Sequence, residues 1–259
     1  MLPLPGAGLT PAGRHAYTAS LVTELARPEA VVFDLDGTLV DNIPFHAAAF
    51  ARFGERRGLR VFDRETGSRL MGRRNSDVFR ELLGRPLEPG ELGELEREKE
   101  ALYREMSRGR LSPLPGLVEL LDLLDASGIP AAIATSAPAP NVVHTLREIG
   151  LPDRFPCVVR SDEVPRGKPH PDVFLAAARA VGVEPERCLA FEDAPSGIAA
   201  ARAAGMRCVA VATTLPRREL SDCDPPPQLV VADYRELLAG ALGSALAAGP
   251  VGQGRGVRG

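Results

Sequence analysis

From residue 117 onward, short apolar runs of strand length alternate with segments whose apolar residues recur at helical spacing. The reading is helix 118–126, strand 129–135, helix 141–149, strand 157–160, helix 172–181, strand 188–191, helix 197–204, strand 208–212 and a last short strand 229–232. Strands joined through helices form parallel sheets, because each crossover must return the chain to the same sheet end. The alternation therefore predicts an α/β fold, a Rossmann-like parallel sheet core with helices on both faces. One further strand precedes this region. Residues 31–33, Val-Val-Phe, are apolar throughout, as a strand covered on both faces must be.

Between these two parts the pattern is helical only. Phe45, Ala49, Phe50 and Phe53, then Leu70, Val78, Phe79, Leu82 and Leu83, then Leu92, Leu95 and Leu102, recur at helical intervals with no strand among them. The sequence Ser112-Pro113-Leu114-Pro115-Gly116 marks the return. An all-helical cap domain inserted after the first strand is the expected organisation. The expected divisions are an extension at 1–29 with weak helical character around 19–26, a core at 30–43 and 113–236, a cap at 44–112, and a flexible Gly/Ala-rich tail at 237–259.

Composition excludes several roles. A net charge of −3 gives no basic field for nucleic acid or an anionic membrane. No apolar run reaches the roughly 18 residues of a spanning helix, and the start lacks the basic-then-apolar order of a secretory leader. Cys157, Cys188, Cys208 and Cys223 lie far apart without C-x-x-C spacing, and read as reduced thiols. A cytoplasmic chain, monomeric or a weak homodimer, is expected.

Parallel sheets collect functional groups at the carboxyl ends of their strands. The first strand runs into Asp34-Leu35-Asp36-Gly37-Thr38, two carboxylates two residues apart. The strand at 129–135 ends in Thr135-Ser136, whose hydroxyls can bind an anionic oxygen or cap a helix. The strand at 188–191 runs into Glu192-Asp193. Carboxylates converging from neighbouring strands raise each other's pKa and call for a hard cation, and Mg²⁺ prefers oxygen ligands. Lys168 stands in Gly167-Lys168-Pro169-His170-Pro171. Only it and Lys99 are lysines among 31 basic residues, which marks a position where a compact point charge matters. Pro169 and Pro171 restrict the segment that carries it.

Taken together, DLDGT at 34–38, Ser136, Lys168 and Glu192-Asp193 resemble the four ordered motifs of the haloacid dehalogenase-like superfamily. Over residues 30–236 the chain looks most like the subfamily of β-phosphoglucomutase and the small-molecule sugar phosphatases, with GKPHPD and FEDAPSG fitting closely. The resemblance implies Asp34 as a nucleophile that forms an aspartyl-phosphate, and Asp36 as the acid and base. It implies Mg²⁺ held by Asp34, the Asp36 backbone carbonyl, Asp193 and Glu192, the last directly or through water. Lys168 would neutralise Asp34 and the phosphoryl oxygens, and Ser136 would hydrogen-bond one of them, with Thr135 as the alternative register. The second acid matters, because haloacid dehalogenases lack it; Asp36 argues for phosphoryl transfer.

The cap is expected to close over the site and read the leaving group. Asn42 and His46 occupy positions resembling substrate-side residues, and Arg73, Arg74 and Asn75 follow in the cap loop. The mutase pattern has lysine and arginine where this chain has Met71 and Asn75, and an amide cannot supply arginine's charged, bidentate contact. Lys99, inside the charged run 94–100, reads as part of a solvated helix face. The expectation is a Mg²⁺-dependent phosphatase of a small phosphorylated metabolite, a sugar phosphate by class. The alternatives are a phosphosugar mutase of the β-phosphoglucomutase type and a catalytically silent binding protein.

Overall fold

In the computed structural model, residues 27–59, 72–240, 243, 244 and 246 are described. The expected helical stretch at 19–26, Leu70 and Met71, and most of the tail lie outside them. Six strands form one parallel sheet in the order β3-β2-β1-β4-β5-β6. They are β1 (Ala30–Phe33), β2 (Ala131–Thr135), β3 (Cys157–Arg160), β4 (Cys188–Glu192), β5 (Arg207–Val211) and β6 (Leu229–Val231). Among the described residues, the segment inserted after β1 holds α1 (Ile43–Arg57), α2 (Asn75–Leu83) and α3 (Pro89–Ser107). The core helices are α4 (Leu117–Ala126), α5 (Ala139–Glu148), α6 (Asp172–Val181), α7 (Pro195–Ala203), α8 (Arg217–Ser221) and α9 (Tyr234–Ala239).

β1 is central, and its alternate residues feed two separate layers. Val31 and Phe33 pack with Leu117, Leu120, Leu124, Val142 and Leu146 of α4 and α5, while Ala30 and Val32 face Val173, Phe174 and Ile198 of α6 and α7. Phe33 stacks on Phe191 of β4 at 5.1 Å between centroids, and Tyr234 meets both rings edge-on. Burying each such ring contributes roughly 1.5–3 kcal/mol, which fixes β1 against β4 and so the two strand ends that carry acids. The cap helices have a core of their own in Ala49, Phe53, Phe79, Leu95, Leu102 and Tyr103.

Several element ends differ by one or two residues from the sequence reading, and two differences bear on the architecture. β2 starts at Ala131, because Pro130 has no N–H and the Ile129 N–H closes α4 on the Leu124 carbonyl. The expected tail begins inside α9, whose Leu237 is buried together with Leu246 in the layer beside β1. The four cysteines carry free thiols. Among the described residues no helix is long and apolar enough to cross a membrane.

Candidate active site

The sheet order reverses about β1, with β2 on one side and β4 on the other. Clefts in open parallel sheets form at such switch points, beyond the strand carboxyl ends. The Asp34 N–H extends the ladder to the Phe191 carbonyl at 2.9 Å, which sets the Asp34 side chain beside the end of β4. Asp34, Glu192 and Asp193 are all buried, and their oxygens lie within 4.8 Å of one another.

Lys168 reaches this cluster from the loop before α6. Its ammonium donates to Asp34 Oδ1 at 2.5 Å and to Glu192 Oε1 at 2.6 Å. Burial pulls the Lys168 pKa down, but Asp34 and Glu192 outweigh it and raise it. Glu192 Oε2 accepts the Asp193 and Ala194 backbone N–H groups at 2.9 and 3.2 Å, so both of its oxygens are engaged. Asp193 accepts the hydroxyls of Thr38 and Thr214. A Cβ on Gly37, whose φ is +83°, would overlap the Asp193 carboxylate.

The electrostatics test the fit of a cation. Burial, with the Glu192 and Asp36 charges opposing Lys168, pushes the Asp34 carboxyl up to about 7. Burial, then Glu192 and Asp34, holds Asp193 well above the carboxylate range. Three buried carboxylates thus face one ammonium, an oxygen-only donor set with negative charge in excess. That fits a divalent hard cation such as Mg²⁺ and does not fit a soft metal.

Asp36 stands apart from this cluster. Asn42 Nδ2 donates to its Oδ1 at 2.6 Å, and His46 Nε2 faces Oδ2 at 3.7 Å, longer than a hydrogen bond. Burial raises the Asp36 pKa, but His46 and Asn42 outweigh it and the net shift is downward. Asn42 is fully buried, also accepts the Gly37 N–H and donates to the Tyr103 hydroxyl at 2.6 Å. This candidate substrate contact is thus bonded to Asp36, Gly37 and Tyr103.

The hydroxyls of Thr135 and Ser136 separate clearly. Thr135 is buried, and its Oγ1 accepts the Ala137 N–H at 3.0 Å, a local turn contact. Ser136 Oγ faces the cap and donates to the Gly72 carbonyl at 2.7 Å.

The cap residues have divided positions. Arg73 pairs with Glu81 of α2 at 3.0 Å. Arg74 crosses to the core, where its Nη2 donates to the Val164 carbonyl at 3.4 Å. Both line a cleft of about 450 Å³ between the start of α2 and residues 165–170. Asn75 does not face it; its amide donates to Glu100 Oε1 at 2.6 Å.

The solvated-face reading of Lys99 is overturned. Lys99 is 2% exposed and Glu100 4%, and they pair at 2.8 Å. Lys99 Nζ also lies 2.9 Å from His46 Nδ1, because α3 packs lengthwise on α1 and buries this side. The sequence reading missed Glu100, Tyr103, Asn141 and Thr214. Only Thr214 had a signal, since Thr213-Thr214 follow a strand end just as Thr135-Ser136 do.

The sequence model of the haloacid dehalogenase-like hydrolases matches residues 28–205. The chain is 36% identical over 194 residues to protein CbbY of Rhodobacter capsulatus, covering 70% of this chain and 84% of that one. It is 36% identical over 190 residues to the fructose-1-phosphate phosphatase YqaB of Escherichia coli, covering 71% of this chain and 97% of that one. Among solved structures it resembles β-phosphoglucomutase from Clostridium difficile, with a TM-score of 0.71, 25% identity, and coverage of 81% of this chain and 93% of that one. The chain belongs to the haloacid dehalogenase-like hydrolase family. The family match and the phosphatases among its relatives make it an enzyme of the phosphatase type.

Proposed function

We propose that the protein is a Mg²⁺-dependent phosphatase of a small phosphorylated metabolite, a sugar phosphate by class, working through an aspartyl-phosphate. The observation that carries this is Lys168 held between Asp34 and Glu192 while Asp36 is kept apart, beside Asn42 and His46. One carboxylate is thereby prepared to attack and the other to move protons.

Asp34 attacks phosphorus in line, and the bond to the leaving oxygen breaks. Lys168 offsets charge on Asp34 and on the phosphoryl oxygens, and Ser136 exchanges the Gly72 carbonyl for one of those oxygens. Asp36 delivers a proton to the leaving oxygen, then takes one from the water that hydrolyses the acyl phosphate. Mg²⁺ would be held by Asp34, Asp193 and the Asp36 backbone carbonyl, with Glu192 direct or through water, and would supply charge neutralisation at the transferring phosphoryl group. Arg73 and Arg74, on the cleft, serve the substrate's remote end.

Water as acceptor is supported by Asn75. Its amide is bonded to Glu100, so nothing charged at that position is offered to a second phosphate. The test is phosphate release across a panel of sugar phosphates. Asp34→Asn should lower it by at least about a thousandfold with an unchanged circular dichroism spectrum. Conversion of β-glucose 1-phosphate to glucose 6-phosphate, given catalytic bisphosphate and without stoichiometric phosphate, would establish the mutase instead.

A further inference from the structure

Helix α3 of the cap lies against α5 of the core along a polar seam. Glu100, Tyr103, Arg104 and Ser107 share one helix face by their spacing, as do Asn141, His144 and Thr145 on the other side. The seam is fully paired. Ser107 Oγ is 2.8 Å from His144 Nε2, and the Tyr103 hydroxyl is 2.9 Å from Thr145 Oγ1. Arg104 donates to Asn141 Oδ1, and Asn141 Nδ2 to Glu100 Oε2, both at 2.6 Å.

These contacts differ in leverage. The two chain connections between cap and core meet where Val40 bridges Pro113 and the Leu114 N–H donates to the Leu39 carbonyl at 2.9 Å. Ser107 lies near this hinge, and Glu100 lies roughly 10 Å farther along α3 by the helix rise. A rotation that barely disturbs Ser107 separates Glu100 from Asn141 first. The Glu100 carboxylate is divided accordingly: Oε1 serves the cap through Asn75 and Lys99, and Oε2 serves the core through Asn141.

We infer that Glu100 is a positioning residue, the outer latch that holds the cap, and with it Asn75 and Lys99, closed on the core through Asn141. Asn141 is fully buried in the closed seam and also holds Arg104, so opening breaks charge-assisted bonds on both sides of it. The kinetic part of this inference rests on the phosphatase reading; the structural part does not.

The experiment uses the full chain, Asn141→Ala, Glu100→Ala and the double variant. Asn141→Ala leaves the Lys99–Glu100 pair intact, so it reports even if Glu100→Ala unfolds. Amide hydrogen exchange is followed in the Ser136 loop and the Gly72 loop, which face each other in the closed state. Exchange there should quicken roughly tenfold or more in Asn141→Ala, the size expected for a lost hydrogen bond to a charged group. The double variant should be no faster than the faster single variant. Parent-like exchange in Asn141→Ala, or effects that simply add, would overturn the latch. Turnover of p-nitrophenyl phosphate with Mg²⁺ gives the second readout. KM should rise in Asn141→Ala by more than kcat falls, because bound substrate can still draw the cap shut. A loss confined to kcat would instead mean damage to the site and overturn the positioning role. If the parent shows no turnover, the phosphatase reading fails, and the exchange measurement still decides the latch.

Discussion

Glu192 fills the space that a side chain at Gly197 would need. A Cβ there would overlap the whole carboxyl group, from the carbon to both oxygens. Glu192 can therefore fold back over the first turn of α7 and present Oε1 to Lys168 only because residue 197 has no side chain.

Gly197→Ala is expected to displace Glu192 and leave the Lys168 ammonium with half its partners. Overpacking a filled site costs about 1–3 kcal/mol. The variant should melt several degrees lower, and phosphate release should fall about tenfold or more. An alanine variant with the parent's melting point and rate would show that Glu192 can be moved at no cost.

Chelation should abolish turnover and Mg²⁺ should restore it. The same addition should raise the melting temperature, because a cation at Asp34 and Asp193 relieves two carboxyl groups held above their ordinary pKa by burial and by the Glu192 charge. At a hundredfold excess over its dissociation constant, linkage gives about 2.7 kcal/mol. Calorimetry with and without EDTA checks this; an unchanged melting point would separate these carboxylates from metal binding.

His46→Ala should move the acid limb of the rate profile to higher pH. His46 is the chief influence holding the Asp36 pKa down against burial. Without it Asp36 takes up its proton at a higher pH, and the base form that activates water is lost earlier as pH falls. The pH dependence of kcat, parent against variant, reads the shift. A displacement toward lower pH would contradict the assigned contact.

Acid stability should follow Glu100. Burial raises its pKa, but Lys99, His46 and Asn75 overcome this and bring it down to about 2. A carboxylate with a depressed folded pKa adds stability above its unfolded value, and the gain disappears as pH falls through the folded one. The stability difference between the parent and Glu100→Gln should be full above about pH 5 and shrink steadily toward pH 2. Urea midpoints at pH 7, 5, 4 and 3 measure it, and a difference that grows on acidification would refute the assignment.

The core half of the candidate site was readable because strand ends are readable. Asp34, Ser136 and Glu192-Asp193 each follow a short apolar run, and a parallel sheet brings such ends together whatever the loops do. Lys168 had no strand behind it, and only its isolation among arginines and its place in a motif marked it. The polar contact between cap and core was not readable. In the run Glu-Leu-Glu-Arg-Glu-Lys-Glu at 94–100 nothing distinguishes Glu100 from Glu98, although the first is buried and the second half-exposed. What separates them is which face of α3 meets α5, a tertiary contact between segments 41 residues apart. The bond from Asn75 to Glu100 was unreadable for the same reason, since the two lie on different helices.

The separate cap core has a consequence for how such a chain can change. Phe53, Phe79, Leu95 and Leu102 pack among themselves, whereas the sheet is buried against α4 to α7. Cap residues beside the cleft can thus be exchanged, and the cap repacked around them, without disturbing the strand ends that carry the acidic cluster. The polar seam at Asn141 and Thr145 marks the border of that freedom. New specificity can arise on one side of it while the chemistry on the other is inherited intact.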